Sequence, residues 1–286
     1  MIARGAIAAG LALALAAPGA AADPANEFQY LYGSAEAAAA SRQVYHMLVG
    51  HARARAAERA AGRPLVQVVL APGATLDRPL FEACGDKPLA AVFDVDETLL
   101  LNVGFEYWDA TRTDRSVPFA DVWGAWERSG ADKVAAVPGA LDAVSALRAA
   151  GVAVIYNTNR DAETAGDTAR ALEFAGFGKA TPGEDLFTDA AGDSKKDGRR
   201  AEIASRYCVI ALVGDQLGDI SDLFNASGLA VPQRRAAVAA PALAAMWGEG
   251  WFVLPNPVYG PSTRGSADEV FPDPALRWTY PGEPTR

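Results

Sequence analysis

Three stretches of the chain bring together residue types suited to phosphoryl chemistry: Phe93-Asp94-Val95-Asp96-Glu97-Thr98, Tyr156-Asn157-Thr158-Asn159-Arg160 and Val213-Gly214-Asp215-Gln216-Leu217-Gly218-Asp219. Each follows a short unbroken apolar run, at 89–93, 152–156 and 208–213. Such runs are expected of parallel strands covered on both faces. In an open α/β sheet ligands bind beyond the carboxyl ends of the strands, so these residues converge on one crevice. Two carboxylates ~4 Å apart repel by about 4 kcal/mol at an effective dielectric near 20. Gathering Asp94, Asp96, Asp215 and Asp219 multiplies that penalty, and a cation must sit among them. Hard carboxylate oxygens without clustered His or Cys suit Mg²⁺. Zinc is disfavoured, because the only histidines, His46 and His51, fall in an N-terminal helical stretch.

With a metal in place, a carboxylate at a strand end can attack phosphorus and split hydrolysis into two easier displacements through an aspartyl-phosphate. Asp94 is placed as the nucleophile. Asp96, two residues on, serves as general acid for the leaving alcohol and then as base for water. Thr158 offers a hydroxyl and a nearby backbone N–H to the phosphoryl oxygens, and a lysine supplies full charge. The segment Asp193-Ser194-Lys195-Lys196-Asp197-Gly198-Arg199 contains two lysines, though it also reads as an ordinary solvated charge run.

The elements that must position these groups alternate in type. A helix opens at Pro138 and closes at Gly151, and another runs from about Glu163 to Phe174 before Gly176. Strands alternating with helices predict a doubly wound parallel α/β sheet. Ahead of it, Ser34 caps a helix with Glu36 in its first turn and Val44, Met47, Leu48 and His51 at three-four spacing, ending near Gly62 and Pro64. Residues 66–88 carry no decisive pattern. An insert over 103–137 holds Phe105, Tyr107, Trp108, Phe119, Trp123 and Trp126; its helical spacing fits either packing on the core or an aromatic-walled cap over the site. From Pro255 the chain reads as an ordered wrap and then a loose tail. The expected organisation is a signal peptide at 1–22, a helical extension at 23–86, a core at 87–255 and a C-terminal wrap and tail at 256–286.

Bulk composition agrees with a globular enzyme. The 286 residues are 50% hydrophobic and 21% charged, with a formal net charge of −9 and no Lys/Arg-rich block, which excludes a nucleic-acid polymer as partner. Residues 1–22 carry Arg4, an apolar Ala/Leu run, Pro18, Gly19 and small residues ending at Ala22, the pattern of a cleaved signal peptide. The run is shorter than the ~20 residues needed to span a bilayer, and no Cys lies near the cleavage point. The expectation is a periplasmic or secreted protein, off the membrane once cleaved, acting on a small phosphomonoester, with a homodimer left open.

Phe-Asp-Val-Asp-Glu-Thr, the run ending Asn-Thr-Asn-Arg, the Lys-x-x-Arg segment and Gly-Asp-Gln-Leu-Gly-Asp, in this order, resemble the four motifs of the haloacid dehalogenase (HAD) superfamily. The chain is most similar to its class B/class C-type acid phosphatases, which include bacterial lipoprotein 5′-nucleotidases and plant vegetative storage proteins. Tyr32-Gly-Ser-Ala-Glu36, Val137-Pro-Gly-Ala140 and Leu254-Pro-Asn-Pro-Val-Tyr-Gly260 extend the resemblance over roughly residues 30 to 260. It implies a HAD-like core with a small helical cap, Mg²⁺ held by Asp94, Asp215 and the Asp96 main-chain carbonyl, and a metal-bound water held by Asp219. Aligning Ser194-x-Lys196-x-x-Arg199 with the family pattern makes Lys196 the phosphate lysine, with Lys195 as the alternative. Leu101-Asn102 stands where the family often has Asp-Asn, and Pro261-Ser262 where relatives have Trp-Glu.

In that fold the strands carrying Asp94 and Asp215 are neighbours, and a disulfide between Cys84 and Cys208 is implied. Asn159, Arg160, Trp108, Trp126 and Tyr259 are candidate substrate contacts, with a structural role open for Arg160 and Tyr259. Aromatic residues of the insert could stack a nucleobase, worth ~1–3 kcal/mol per base, which favours nucleotides over sugar phosphates. A second acid two residues after the first argues against carbon–halogen cleavage. A phosphotransferase and a non-catalytic storage or binding protein on the same scaffold remain as alternatives.

Overall fold

The computed structural model describes residues 23–280; the expected signal peptide lies outside them. Behind a helical segment at 26–33, helix α1 (Ala35–Ala60) starts where the Ser34 hydroxyl accepts the Ala37 N–H at 3.0 Å. Its buried face is Ala37, Ser41, Tyr45, Leu48, His51 and Ala52; of the expected positions Leu48 and His51 are buried and Val44 partly so, while Met47 is half exposed. Small residues on that face let α1 approach the core closely, and the Tyr45 hydroxyl reaches through to the Thr98 carbonyl.

The extension is not wholly helical. Strands β1 (Val66–Leu70) and β2 (Phe81–Ala83) pair antiparallel in the stretch that showed no pattern. Then come β3 (Leu89–Phe93), β4 (Leu100–Leu101), the insert helices α2 (Val103–Thr111) and α3 (Phe119–Ser129), and β5 (Ala135–Ala136). The β4–β5 pair closes the base of the insert. Helix α4 (Ala140–Ala149) follows Gly139, whose φ of 93° is left-handed and which faces the Arg42 backbone of α1. The remaining alternation is β6 (Ala153–Asp161), α5 (Ala165–Phe174), β7 (Leu186–Asp189), α6 (Asp197–Arg206), β8 (Cys208–Gly214) and β9 (Trp251–Val253).

Five strands form one parallel sheet in the order β7-β6-β3-β8-β9, the expected doubly wound α/β architecture. Edge strands β7 and β9, of 4 and 3 residues, escaped the sequence reading because segments that short carry no periodic signal. All five β3 residues are buried. Leu89, Ala91 and Phe93 face a cluster with α1, α4 and α5, while Ala90 and Val92 face one with Ile203 of α6, β1, Phe224 and Trp251. The register pairs Phe93 with Tyr156 on one side and Val213 on the other, so Asp94 leaves the sheet level with Asn157 and Gly214.

Cys84 and Cys208 form a disulfide with Cα atoms 4.8 Å apart, tying the end of β2 to the start of β8. The C-terminal segment crosses the carboxyl end of the sheet with Asn256 buried, and beyond it Leu276, Trp278 and Tyr280 are exposed. No helix among the described residues is long and apolar enough to cross a membrane.

Candidate active site

Asp94 emerges from β3 with its N–H donated to the Val213 carbonyl at 2.9 Å, which sets it beside the end of β8. There Asp215 follows Gly214, and Asp219 sits in a single 3₁₀ turn over Leu217–Asp219. One carboxylate oxygen from each of Asp94, Asp215 and Asp219 lies within 4.8 Å of the others. Gly214 permits this approach, since a Cβ there would collide with the Asp219 side chain.

Lys196 is 3% exposed, and its Nζ donates to Asp94 and, at 2.7 Å, to Asp219. Lys195 points to solvent and pairs with Asp193. The Thr98 hydroxyl lies 3.3 Å from both Asp94 Oδ2 and Asp215 Oδ1, bridging the two acids. Asp215 also accepts from Asn256 Nδ2 at 2.7 Å and Gln216 Nε2 at 3.2 Å, and Asp219 accepts the Gln216 N–H at 2.9 Å.

The electrostatics follow from burial. Desolvation pushes the Asp94 carboxyl well above its usual range; Lys196 pulls it back, and Asp219, Asp215 and Asp96 push it further. Desolvation and then Asp219 push Asp215 up to about 7. Burial pulls the Lys196 ammonium down, but Asp219 and Asp94 outweigh it and hold the group charged. A single ammonium does not balance three acids. The oxygen-only donor set, crowded and short of positive charge, fits a divalent metal.

Asp96 does not join this group. The expectation of four acids around one cation is corrected to three, because the Asp96 carboxylate turns toward Arg160, which grips it through Nε and Nη2 at 2.7–3.2 Å. Asn102 Nδ2 donates to it at 2.9 Å. Arg160 itself is 2% exposed and donates to Asn102 Oδ1 at 2.9 Å, so it holds the motif loop instead of presenting itself to substrate. Trp126 is engaged too, its Nε1 donating to Asn102 Oδ1 at 3.0 Å.

Tyr259 is likewise committed. Its hydroxyl donates to Glu97, which also accepts from the Tyr32 hydroxyl at 2.7 Å and from the Asn102 N–H at 3.0 Å. Glu97 has a left-handed φ of 53° and is 1% exposed; desolvation and then Asp96 push its carboxyl up to about 7. This one acid ties the N-terminal segment and the C-terminal wrap to the loop bearing Asp94 and Asp96.

Thr158 is fully buried, and β6 runs on past it to Asp161 instead of ending there. Its hydroxyl oxygen accepts the Arg160 N–H at 3.2 Å. Asn159 is exposed, donating to the Ser194 carbonyl at 3.1 Å and accepting from Arg199 at 2.6 Å, which anchors the lysine loop. Trp108 is 41% exposed with Arg112 over its ring at 4.5 Å. The insert aromatics pack on one another around Phe105, with Trp123 at 5.0 Å and Trp126 at 6.0 Å between ring centroids, and leave Phe119 and Tyr107 open.

Sequence reasoning had assigned no roles to Thr98, Glu97, Asn102 and Asn256. All stand inside motifs already singled out, but their partners come from distant segments.

A central parallel strand ending in an acid, faced by two further acids and a buried lysine from the loop before α6, defines a HAD-type phosphoryl hydrolase. Residues 67–262 match the family HAD superfamily, subfamily IIIB (Acid phosphatase), and the chain belongs to it. The protein is thus a phosphomonoester hydrolase. The class C acid phosphatase from Bacillus anthracis superposes with a TM-score of 0.61 at 24% identity, over 82% of this chain and 84% of that one. The same enzyme's structure with tungstate bound gives 0.64 at 23% identity, over 89% and 96%. No curated protein matches the chain.

Proposed function

We propose that this is an exported, Mg²⁺-dependent acid phosphatase that hydrolyses small phosphomonoesters, 5′-nucleotides among them, through an aspartyl-phosphate on Asp94. The observation that carries it is the convergence of Asp94, Asp215 and Asp219 with Lys196 and Thr98 at the carboxyl end of the sheet. Asp94, Asp215 and the Asp96 main-chain carbonyl would hold Mg²⁺, with Asp219 holding its water; the metal supplies charge to the phosphoryl oxygens. An Asp94 oxygen attacks phosphorus as the ester P–O bond breaks, and Asp96 gives its proton to the departing alkoxide. Asp96 then takes a proton from water, which attacks the acyl phosphate and returns Asp94 with free phosphate. Lys196 and the Thr158 hydroxyl face the equatorial oxygens in this reading, and Arg160 and Asn102 keep Asp96 aimed.

Tungstate is a tetrahedral oxyanion like phosphate, and its presence in the Bacillus anthracis enzyme supports an oxyanion site in the shared fold. The disulfide suits an oxidising compartment and supports export directed by residues 1–22. The exposed rings of Trp108 and Phe119 support a base-stacking cap.

The test is a phosphomonoester panel assayed with purified protein, with and without EDTA, beside Asp94→Asn. Magnesium-restorable turnover that the substitution abolishes is expected. Metal-independent turnover, or undiminished turnover by the variant, refutes the mechanism.

A further inference from the structure

Away from the acid triad, a groove of about 940 Å³ separates the N-terminal segment from helix α2. Phe28, Tyr30, Tyr32 and Tyr107 line it, and Tyr107 is 71% exposed. Glu106 also lines it, yet is only 5% exposed, and its carboxylate makes no hydrogen bond to any described residue. The other nearby acids are satisfied: Asp109 pairs with Arg112 and Arg115, Asp96 with Arg160, and Glu97 with two tyrosines. Of these acids Glu106 alone has neither an ion-pair nor a hydrogen-bond partner among the described residues. No Lys, Arg or His is among the lining residues, and Asp23 adds a second acid at the rim.

We propose that this groove binds a small organic cation, an ammonium group that pairs with Glu106 and lies against the tyrosine rings. The chemistry discriminates among cations. A bare metal ion needs several oxygen ligands, and here one buried carboxylate shares the groove with four aromatic residues. Aromatic walls with an acid behind them are what a substituted ammonium requires, because ring quadrupoles attract a weakly hydrated cation. The potential points the same way: burial and then Glu97, Asp109 and Asp96 push the Glu106 carboxyl up to about 8, and a bound cation relieves that repulsion. The recess favours a free small molecule over a bilayer headgroup, since the acid is buried while Tyr30 and Tyr107, which line the same groove, are exposed. The site stands on the groove alone and does not depend on the magnesium phosphatase reading.

The experiment is titration of the full chain with choline chloride and with its uncharged analogue, in which a tert-butyl group replaces the trimethylammonium, followed by calorimetry or ligand-observed NMR. Choline is expected to bind saturably and the neutral analogue about tenfold or more weakly. Glu106→Gln is expected to weaken choline on the order of tenfold, and Tyr107→Leu severalfold, with melting curves confirming that both are folded. Should Glu106→Gln fail to fold, Tyr107→Leu at its solvent-facing position and the analogue comparison in the unaltered chain decide. Equal binding of the charged and uncharged probes, no saturable choline binding, or binding only to phosphatidylcholine vesicles overturns the proposal.

Discussion

Asn102 is the junction through which the cap reaches the residue proposed as general acid, and Asn102→Ala tests that connection. The side chain is fully buried and makes four bonds of 2.9–3.0 Å: it donates to Asp96 and Glu97 and accepts from Arg160 and Trp126. Hydrogen bonds to charged groups contribute ~1.5–3 kcal/mol each, and an orphaned buried donor costs ~1–3 kcal/mol. Because the four share one amide and are not additive, the net loss of stability is about 2–4 kcal/mol. At ~2–4 °C per kcal/mol for a chain of this size, the melting point falls by roughly 4–16 °C. Asp96 keeps the Arg160 fork, so the acid survives but swings. Protonation matters for an alkoxide and hardly at all for p-nitrophenolate. General acid catalysis is worth ~10²–10⁴ in rate, so partial misalignment should slow alkyl phosphates by about tenfold and p-nitrophenyl phosphate by less than about threefold. The assay is kcat/KM, which reports phosphoryl transfer to Asp94 and not the later hydrolysis common to every ester, across phosphomonoesters of graded leaving-group acidity at a temperature well below both melting points. Equal loss on every ester would refute Asn102 as a positioning residue and leave it a merely structural one.

Other outcomes follow from the same geometry. Lys196→Met, which leaves Asp94 and Asp219 without their buried ammonium, should lower kcat by at least about a hundredfold in steady-state assays. Adding a divalent metal to EDTA-treated protein should raise its melting point, by about 2.7 kcal/mol of linked stability at a hundred times Kd, and Asp215→Asn should remove most of that rise. Thiol titration of the unreduced, unfolded chain should find no free sulfhydryl. Reducing the bridge, whose cysteines are 124 positions apart in sequence, should cost about 5 kcal/mol by the chain-entropy estimate in denaturant unfolding. Glu106, raised in the folded state, contributes stability below about pH 4.5 that is lost as pH rises toward about 8. Its share of the slope is at most about 1.4 kcal/mol per pH unit, and Glu106→Gln should flatten the stability profile over that window.

Local sequence was enough for what depends on short-range pattern. The unbroken apolar runs before Asp94 and Asp215 marked β3 and β8, since strands buried on both faces need apolar residues throughout. Ser34 announced α1, and the acid spacing announced a cation-demanding crevice. Long-range packing decided the rest. Asp96 turned from the triad to Arg160 because β6 runs straight through Thr158 and delivers a buried guanidinium opposite the motif loop, 64 residues away in sequence. Arg160, Trp126 and Tyr259 became braces for the same reason: each found a buried polar partner that no spacing rule connects to it. Periodicity and residue type report which face of an element is covered; which distant group covers it is settled only when the chain closes on itself.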